Sequence, residues 1–104
     1  MKRLQPSDMK QFKLLGIPWF RRKEYAPAIA IMADRDQLYP TYEEWLPIAQ
    51  ARLKQLQAQN RRCKKVFLEV APFEAFCEEQ GIARDAHARA LYAVAVASGR
   101  VKQG

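Results

Sequence analysis

The sequence predicts an α+β fold that is mostly helical, in the order helix, helix, strand, helix, helix. Three observations predict it. Several stretches place apolar residues at helical spacing, capping residues flank these stretches, and residues 65–70 alternate as a β-strand does. One strand cannot satisfy its own backbone groups. We therefore expect a small sheet, completed either by a second strand of this chain or by dimerisation.

The composition is that of one folded domain. The chain has 104 residues, of which 49% are apolar and 28% charged. No apolar run reaches the roughly 18 residues that a membrane span needs, and no signal-peptide segment follows residues 1–8. We predict a single domain over residues 1–104, with a loose basic arm at 1–16 and a loose tail at 100–104. We predict no membrane association and a cytoplasmic location.

The N-terminal region contains a possible helix and an extended stretch. A short helix is predicted over residues 7–16, where Gly16 could end it. Residues 17–20 are then expected to be extended, because Pro18 disfavours helical geometry at the residue before it.

The next segment is ambiguous between helix and strand. Residues 24–34 place apolar side chains at helical spacing, and Pro27 is tolerated if it falls in the first turn. The alternation of residues 28–31 leaves a strand open as the alternative. Residues 34–40 are a connection.

The clearest helix begins at Thr41 and extends to about Asn60. Thr41 and Glu44 form a capping box, in which the hydroxyl accepts from the backbone N–H of Glu44 and the carboxylate reaches back. Pro47 lies beyond the first turn, so we expect a bend near the start of the helix. The apolar stripe consists of Trp45, Ile48, Ala49, Leu53 and Leu56.

Residues 65–70 form the one convincing strand. A partner strand within the chain would lie at residues 14–19 or 28–31. The alternation separates one face, with Val66, Leu68 and Val70, from the other, with Phe67 and Glu69.

Two helices close the chain. Pro72 is expected as the first residue of a short helix that ends at Gly81, and a helix over residues 85–98 ends at Gly99. The last helix has no charge from residue 90 onward, which predicts burial or an interface. The short helix carries a stripe of Phe73, Phe76 and Cys77, onto which Ile82 can fold back.

The net charge of +7 is concentrated in two places. Residues 1–23 hold seven basic residues and one acid, and residues 60–65 hold four basic residues and no acid. The rest of the chain is mildly acidic. A localised basic surface attracts nucleic acid, acidic protein or anionic lipid, and the alternative is a solvated surface without a partner.

These two clusters provide the candidate binding residues. In residues 19–23, large aromatic rings next to cations could stack on bases or contact a protein partner. The alternative is that the rings anchor the arm onto the core while the cations face water. The candidates are Trp19, Phe20, Arg21, Arg22 and Lys23 in the first cluster, and Arg61, Arg62, Lys64 and Lys65 in the second.

Few residues could support catalysis. Cys63 and Cys77 lack the spacing of a zinc site or the number of a disulfide framework, and free thiols suit a reducing compartment. The single histidine, His87, could activate Cys77 only if both lay in one cleft, and a cysteine on a packed helix face is usually a core residue. No phosphate-binding glycine loop or hydrolase motif is present. We predict no catalytic residue, no metal and no cofactor.

Residues 62–98 invite comparison with the ribbon-helix-helix DNA-binding fold, in which strands pair across a dimer and lie in the major groove. The strand, Pro72 and the glycine turn between two helices match that order. The first helix is a turn too short, and Phe67 and Glu69 are poor groove readers.

Three short segments, together with Asp85 and Arg89, resemble a family of small uncharacterised proteobacterial proteins, over roughly residues 17–93. The resemblance implies a bacterial cytoplasmic source and brings no activity. The segments are Trp19-Phe20-x-Arg22-x-x-Tyr25, Thr41-Tyr42-Glu43-Glu44-Trp45-Leu46 and Phe73-x-x-Phe76-Cys77.

The leading functional prediction is a non-catalytic binding or accessory protein that self-associates or binds a protein through its last helix or aromatic-basic arm. The alternative is a nucleic-acid-binding protein that contacts phosphates through residues 19–23 and 61–65. An enzyme built on Cys77 and His87 is the third hypothesis, and it requires a thiolate with a low pKa.

Overall fold

The computed structural model describes residues 14–101 and confirms a mostly helical α+β fold. A 3-10 helix, Arg35–Gln37, lies between the first two α-helices. The predicted order of four helices and one strand is present, and the first strand is the partner that the sequence left open. The elements are β1 Leu14–Trp19, α1 Arg22–Ala30, α2 Tyr42–Ala58, β2 Arg62–Phe67, α3 Val70–Gln80 and α4 Ala86–Ala97.

β1 and β2 form a two-stranded parallel sheet. Leu14 lies opposite Arg62 and Trp19 opposite Phe67, and the Leu68 N–H donates to the Trp19 carbonyl at 2.8 Å just beyond β2. A parallel pair needs a long crossover connection, which α1 and α2 supply. The sheet is therefore completed within the chain, at the first of the two predicted positions.

Gly16 allows a close approach of two backbones and does not end a helix. The helix predicted over residues 7–16 and the loose arm predicted over 1–16 are both wrong at their ends, because residues 14–16 belong to β1. The earlier residues of both lie outside the described range. A Cβ on Gly16 would lie 2.2 Å from the carbonyl oxygen of Ala93 in α4, so only glycine fits.

α1 is a helix, and the strand considered over residues 28–31 is absent. It begins at Arg22 and ends at Ala30, earlier than predicted at both ends. Pro27 is its sixth residue and not in the first turn, so the helix lacks one hydrogen bond there. Packing compensates for this loss, because Tyr25 and Ala28 are buried on the inner face.

β2 lies three residues earlier than the predicted strand, because Glu69 occupies the N-cap position of α3. Pro72 is therefore the third residue of α3 and not the first. The first N–H groups of a helix have no partner within it, so proline removes no hydrogen bond at either position. Val66 and Leu68 are buried, as the alternation predicts.

The predicted ends of the last two helices are confirmed. Gly81 has a φ of 66°, and the Ile82 N–H donates to the Cys77 carbonyl at 3.0 Å. Asp85 caps α4 by accepting a backbone hydrogen bond at 3.0 Å. Gly99, with a φ of 80°, follows the last turn of α4.

The core lies between the sheet, α1, α3 and α4, and α2 packs against it through the half-buried side chains of Tyr42 and Trp45. α4 packs against β1 and supplies Ala88, Tyr92 and Ala93 to the core. None of the 17 residues of α2 is buried. The core cluster is Phe20, Tyr25, Ala28, Met32, Val66, Leu68, Phe73, Phe76, Cys77, Ala88, Tyr92 and Ala93.

Candidate functional site

α2 forms one wall of the candidate site, and the predicted capping box fixes its start. The Thr41 hydroxyl accepts a hydrogen bond from the Glu44 N–H at 3.2 Å. The Glu44 carboxylate accepts one from the same hydroxyl at 3.1 Å, where a bond to the Thr41 backbone was expected. Of the predicted apolar stripe, Trp45 is half-buried and Ile48 is 52% exposed. Four residues of the stripe border a space that residues 14–101 do not fill: Trp45, Ile48, Ala49 and Leu56.

A cleft of about 720 Å³ lies between α2, β1 and α1. Aromatic rings line it: the centroid of Trp45 is 5.1 Å from that of Trp19, 5.2 Å from that of Phe20 and 5.7 Å from that of Tyr25. We name this space the aromatic cleft. Its main apolar side chains are Trp19, Phe20, Tyr25, Trp45, Ile48 and Leu56.

The hydroxyl of Tyr25, at the edge of the aromatic cleft, forms a hydrogen bond within the protein. The Tyr25 hydroxyl donates to the Tyr39 carbonyl at 2.5 Å. Burial raises the pKa of Tyr25, and the Glu44 carboxylate raises it further. The hydroxyl therefore stays protonated at neutral pH and ties the connection after the 3-10 helix to α1.

The charged side chains that line the aromatic cleft are all basic. Arg52 extends from α2, Arg61 from the residues just after α2, and Arg89 from α4. No aspartate or glutamate is among the described lining residues. Within residues 14–101 the ion pairs include one to Arg89 and none to Arg52 or Arg61. The cleft therefore presents two uncompensated guanidinium groups.

Arg89 is held by Asp34, which comes from the segment after α1. Its two terminal nitrogens donate to the two carboxylate oxygens at 2.8 Å each, and this hydrogen bonding lowers the pKa of Asp34. The Arg84 Nε donates to the Ile31 carbonyl, and the Ala33 N–H to the Arg84 carbonyl, both at 2.7 Å. These bonds attach the end of α1 to α4 and to the connection before it.

The aromatic residues of the first predicted cluster are buried. Trp19 and Phe20 are 4% and 5% exposed, so neither ring is available to stack on a base. The Arg21 guanidinium lies 4.2 Å from the centroid of the Phe67 ring and 3.7 Å from a carboxylate oxygen of Glu69. Both rings therefore pack against the core, as the alternative interpretation expects, and they form part of the wall of the aromatic cleft.

Arg22 and Lys23 differ in their surroundings. Arg22 pairs with Glu43 and lies over the Tyr42 ring, 4.7 Å from its centroid. Lys23 is exposed, and its side chain forms no ion pair with the residues in the range 14–101. Arg22 therefore joins the start of α1 to the start of α2.

The second predicted cluster is divided between the two faces of the sheet. Alternate residues of a strand point to opposite sides, so Arg62 and Lys64 share one face and Lys65 takes the other. The Lys65 Nζ lies 4.3 Å from the centroid of the Trp19 ring, which brings the two clusters into contact. Arg61 lines the aromatic cleft. The basic residues therefore do not form one continuous surface.

The environment of Cys77 is unlike that of a nucleophile. Cys77 is buried in the core, and burial raises the pKa of its thiol. His87 is exposed near the start of α4, and no hydrogen bond joins it to Cys77. Cys63 and Cys77 are both free thiols. At neutral pH the Cys77 thiol is protonated and enclosed.

The described residues contain neither a metal-binding cluster nor a membrane-spanning helix. In residues 14–101, no three side chains of histidine, cysteine, aspartate or glutamate come together as they would around a metal ion. In the same range, no helix combines the length and the apolar character that crossing a membrane requires.

Sequence reasoning did not find the aromatic cleft, although one signal was present. Arg52 interrupts the apolar stripe of α2, since it lies four residues after Ile48 and four before Leu56. A cation on an apolar helix face indicates that this face is not packed in a core. The Asp34–Arg89 pair has no such signal, because the two residues are far apart in sequence and only the fold joins them.

No family model, curated protein or solved structure matches this chain. The ribbon-helix-helix comparison disagrees with the observed pairing, because β2 pairs in parallel with β1 of the same chain. The helix, glycine turn and helix of that comparison are present as α3, Gly81 and α4.

Proposed function

We propose that this protein is a non-catalytic binding protein whose ligand site is the aromatic cleft, and that the ligand has an apolar body. The observation that supports this proposal is an open space of about 720 Å³ lined by aromatic and aliphatic side chains. Ligand sites typically have volumes of about 300–1,000 Å³ and mostly apolar walls with a few polar groups.

The exposure of α2 also supports this proposal. A 17-residue helix with no buried residue retains apolar side chains that water contacts. Ile48 is 52% exposed, and Trp45, Ala49 and Leu56 of the same stripe are only half-buried. A bound apolar group would remove this surface from water, at roughly 25 cal/mol per Å² of apolar area.

The chain contains two tryptophans, and both line the aromatic cleft, which provides a direct test. We expect the neutral fluorophore N-phenyl-1-naphthylamine to bind and to quench tryptophan emission by energy transfer. Ala49→Phe should weaken binding at least tenfold, because Ala49 lines the cleft and a phenyl group would occupy it.

The matched control is Ala58→Phe, the same change at an exposed position at the end of α2. It should leave the affinity within twofold of the wild type. Equal affinities of the wild type and the Ala49→Phe variant, with both folded by circular dichroism, would contradict the proposed site.

Nucleic-acid binding is the second candidate. Arg62 and Lys64 are exposed on the same face of β2, which favours it. The test is fluorescence anisotropy with labelled single- and double-stranded oligonucleotides at low and physiological salt. Arg62→Gln with Lys64→Gln should reduce the salt dependence of the affinity, because each lost phosphate contact releases one counterion fewer. No binding at low salt would end this candidate.

We also propose that the protein self-associates through α4. Leu91 and Val94, on the outer side of α4, are 39% and 37% exposed and form the candidate contact between copies. Sedimentation velocity should show a dimer that Leu91→Lys dissociates; a wild-type monomer at high concentration would exclude it.

The free thiols of Cys63 and Cys77 support the proposal of a reducing cytoplasm, and the resemblance described above would make that cytoplasm bacterial.

A further inference from the structure

We propose that the aromatic cleft is selective for amphipathic monocarboxylates, with the carboxylate bound by Arg52 and Arg61 and the apolar chain lying against the aromatic wall. This inference rests on the proposed function, because it names the class of ligand for the same site.

The charge of the lining favours an anionic ligand. Arg52, Arg61 and Arg89 line the cleft without a neighbouring acid among the described lining residues. Asp34 compensates Arg89 through two hydrogen bonds of 2.8 Å. Arg52 and Arg61 have no such partner within residues 14–101. Two positive charges beside apolar walls attract an anion that also has an apolar part.

The two arginines extend from the same end of α2. The Arg61 N–H donates to the Leu56 carbonyl at 3.2 Å, which folds the chain back against the last turns of the helix. Arg52 lies one turn before Leu56 on the same face. Trp45 lies seven residues before Arg52, which is roughly 10 Å along the helix axis. The cleft therefore has an aromatic end and a cationic end.

Guanidinium groups are suited to this role because each can donate two parallel hydrogen bonds to one carboxylate. Arg61 is only partly exposed, so its charge is less screened than that of a surface residue. A ligand with a carboxylate at one end and an extended chain of about 10 Å would satisfy both ends of the cleft. Decanoate has this length and serves as the probe.

The test compares decanoate with 1-decanol by titration of tryptophan fluorescence at pH 7.5, below the concentrations at which either aggregates. We expect decanoate to bind at least tenfold more tightly than decanol. Octanoate should bind about fifteenfold more weakly than decanoate, because each buried methylene contributes about fourfold. Arg52→Gln with Arg61→Gln should remove the preference for the acid and leave decanol binding within twofold.

The charge-matched control is Lys23→Gln with Lys54→Gln, two exposed residues that do not line the cleft. It should retain the preference for decanoate, and circular dichroism should show every variant folded. Equal binding of acid and alcohol to the wild type would overturn the inference and leave the proposed function intact. Binding of neither would overturn both. Tight binding of an acidic amphipathic helical peptide, together with weak binding of decanoate, would overturn the assignment of a monocarboxylate ligand and favour a protein partner.

Discussion

Asp34 and Arg89 form a largely buried ion pair, in which each charge is compensated by the other. Their side chains are 18% and 11% exposed, and two parallel hydrogen bonds of 2.8 Å join them. Removing one member of such a pair leaves a charge poorly solvated, whereas replacing both by apolar groups restores a neutral interior. The pair therefore contributes to the attachment between the end of α1 and α4, together with the hydrogen bonds of Arg84.

We expect Asp34→Ala to lower the free energy of unfolding by about 3 kcal/mol, because the Arg89 guanidinium loses its counter-charge. Asp34→Leu combined with Arg89→Met should recover most of this loss. Urea unfolding followed by circular dichroism measures both. A double variant as unstable as the single one would show that the pair is not coupled in this way.

The same pair predicts a pH dependence. Hydrogen bonding to Arg89 lowers the pKa of Asp34 below its ordinary value of 3.8, so the folded state holds the ionised form more strongly than the unfolded chain does. Its stabilisation is complete above about pH 5 and is lost as the pH falls through the lowered pKa. Unfolding measured from pH 6 to pH 2 should show a smaller decrease for Asp34→Asn than for the wild type.

At the scale of elements, the contact between α4 and β1 depends on a glycine, because Gly16 has no side chain to hold the two backbones apart. Gly16 admits the backbone of Ala93, and the side-chain carbon of Ala97 would lie only 3.1 Å from an added Cβ. Two backbone segments that approach this closely cannot move apart without disturbing the sheet and the core together.

We expect Gly16→Ala to destabilise the protein by about 3 kcal/mol or more, because the clash is with backbone atoms that cannot rotate away. Gly81→Ala is the comparison: nothing lies within 4 Å of its added Cβ, and only the left-handed φ of 66° opposes it. That change should cost about 1 kcal/mol. Thermal unfolding that ranks the two variants in the opposite order would contradict this account of Gly16.

The elements that the sequence predicts well are those defined by local chemistry. Thr41, Gly81, Asp85 and Gly99 act within a few residues of themselves, and each bounds a helix as expected. Gly16 was misinterpreted because its constraint comes from Ala93, far along the chain. The parallel register of the sheet and the position of α2 likewise depend on contacts between residues far apart in sequence, and no local pattern encodes them.

The candidate site divides in the same way. The sequence indicated that the aromatic rings in residues 19–23 could anchor this segment onto the core. Trp19 and Phe20 are indeed buried there. The neighbouring cations predicted a basic surface patch. In the structure, Arg21 instead contacts the Phe67 ring and the Glu69 carboxylate. The aromatic cleft arises between elements, so its residues are spread from β1 to α4 and form no motif.

At the scale of the whole molecule, α4 is what closes the fold. It packs across β1 and contributes Ala88, Tyr92 and Ala93 to the core. The Tyr92 ring contacts the rings of Phe73 and Phe76, with centroids 5.6 Å and 5.3 Å apart. Without α4, one face of the sheet and the inner face of α3 would be open to water.

We therefore expect a chain truncated after residue 84 to lose cooperative folding, even though both strands and three helices remain in it. Circular dichroism should show a broad thermal transition, and proteolysis should be much faster than for the full chain. Adding residues 85–101 as a separate peptide should restore part of the protection. A truncated chain with a sharp transition would show that the core closes without α4.

Parallel pairing of the two strands also sets an order of events during synthesis. β1 is translated first, but its partner Arg62–Phe67 follows only after both crossover helices, and the turn of α4 that covers Gly16 comes later still. Contacts between residues so distant in sequence close slowly. Between the synthesis of β1 and that of β2, the nascent chain therefore carries an apolar strand without its partner, and such a strand can pair with other chains.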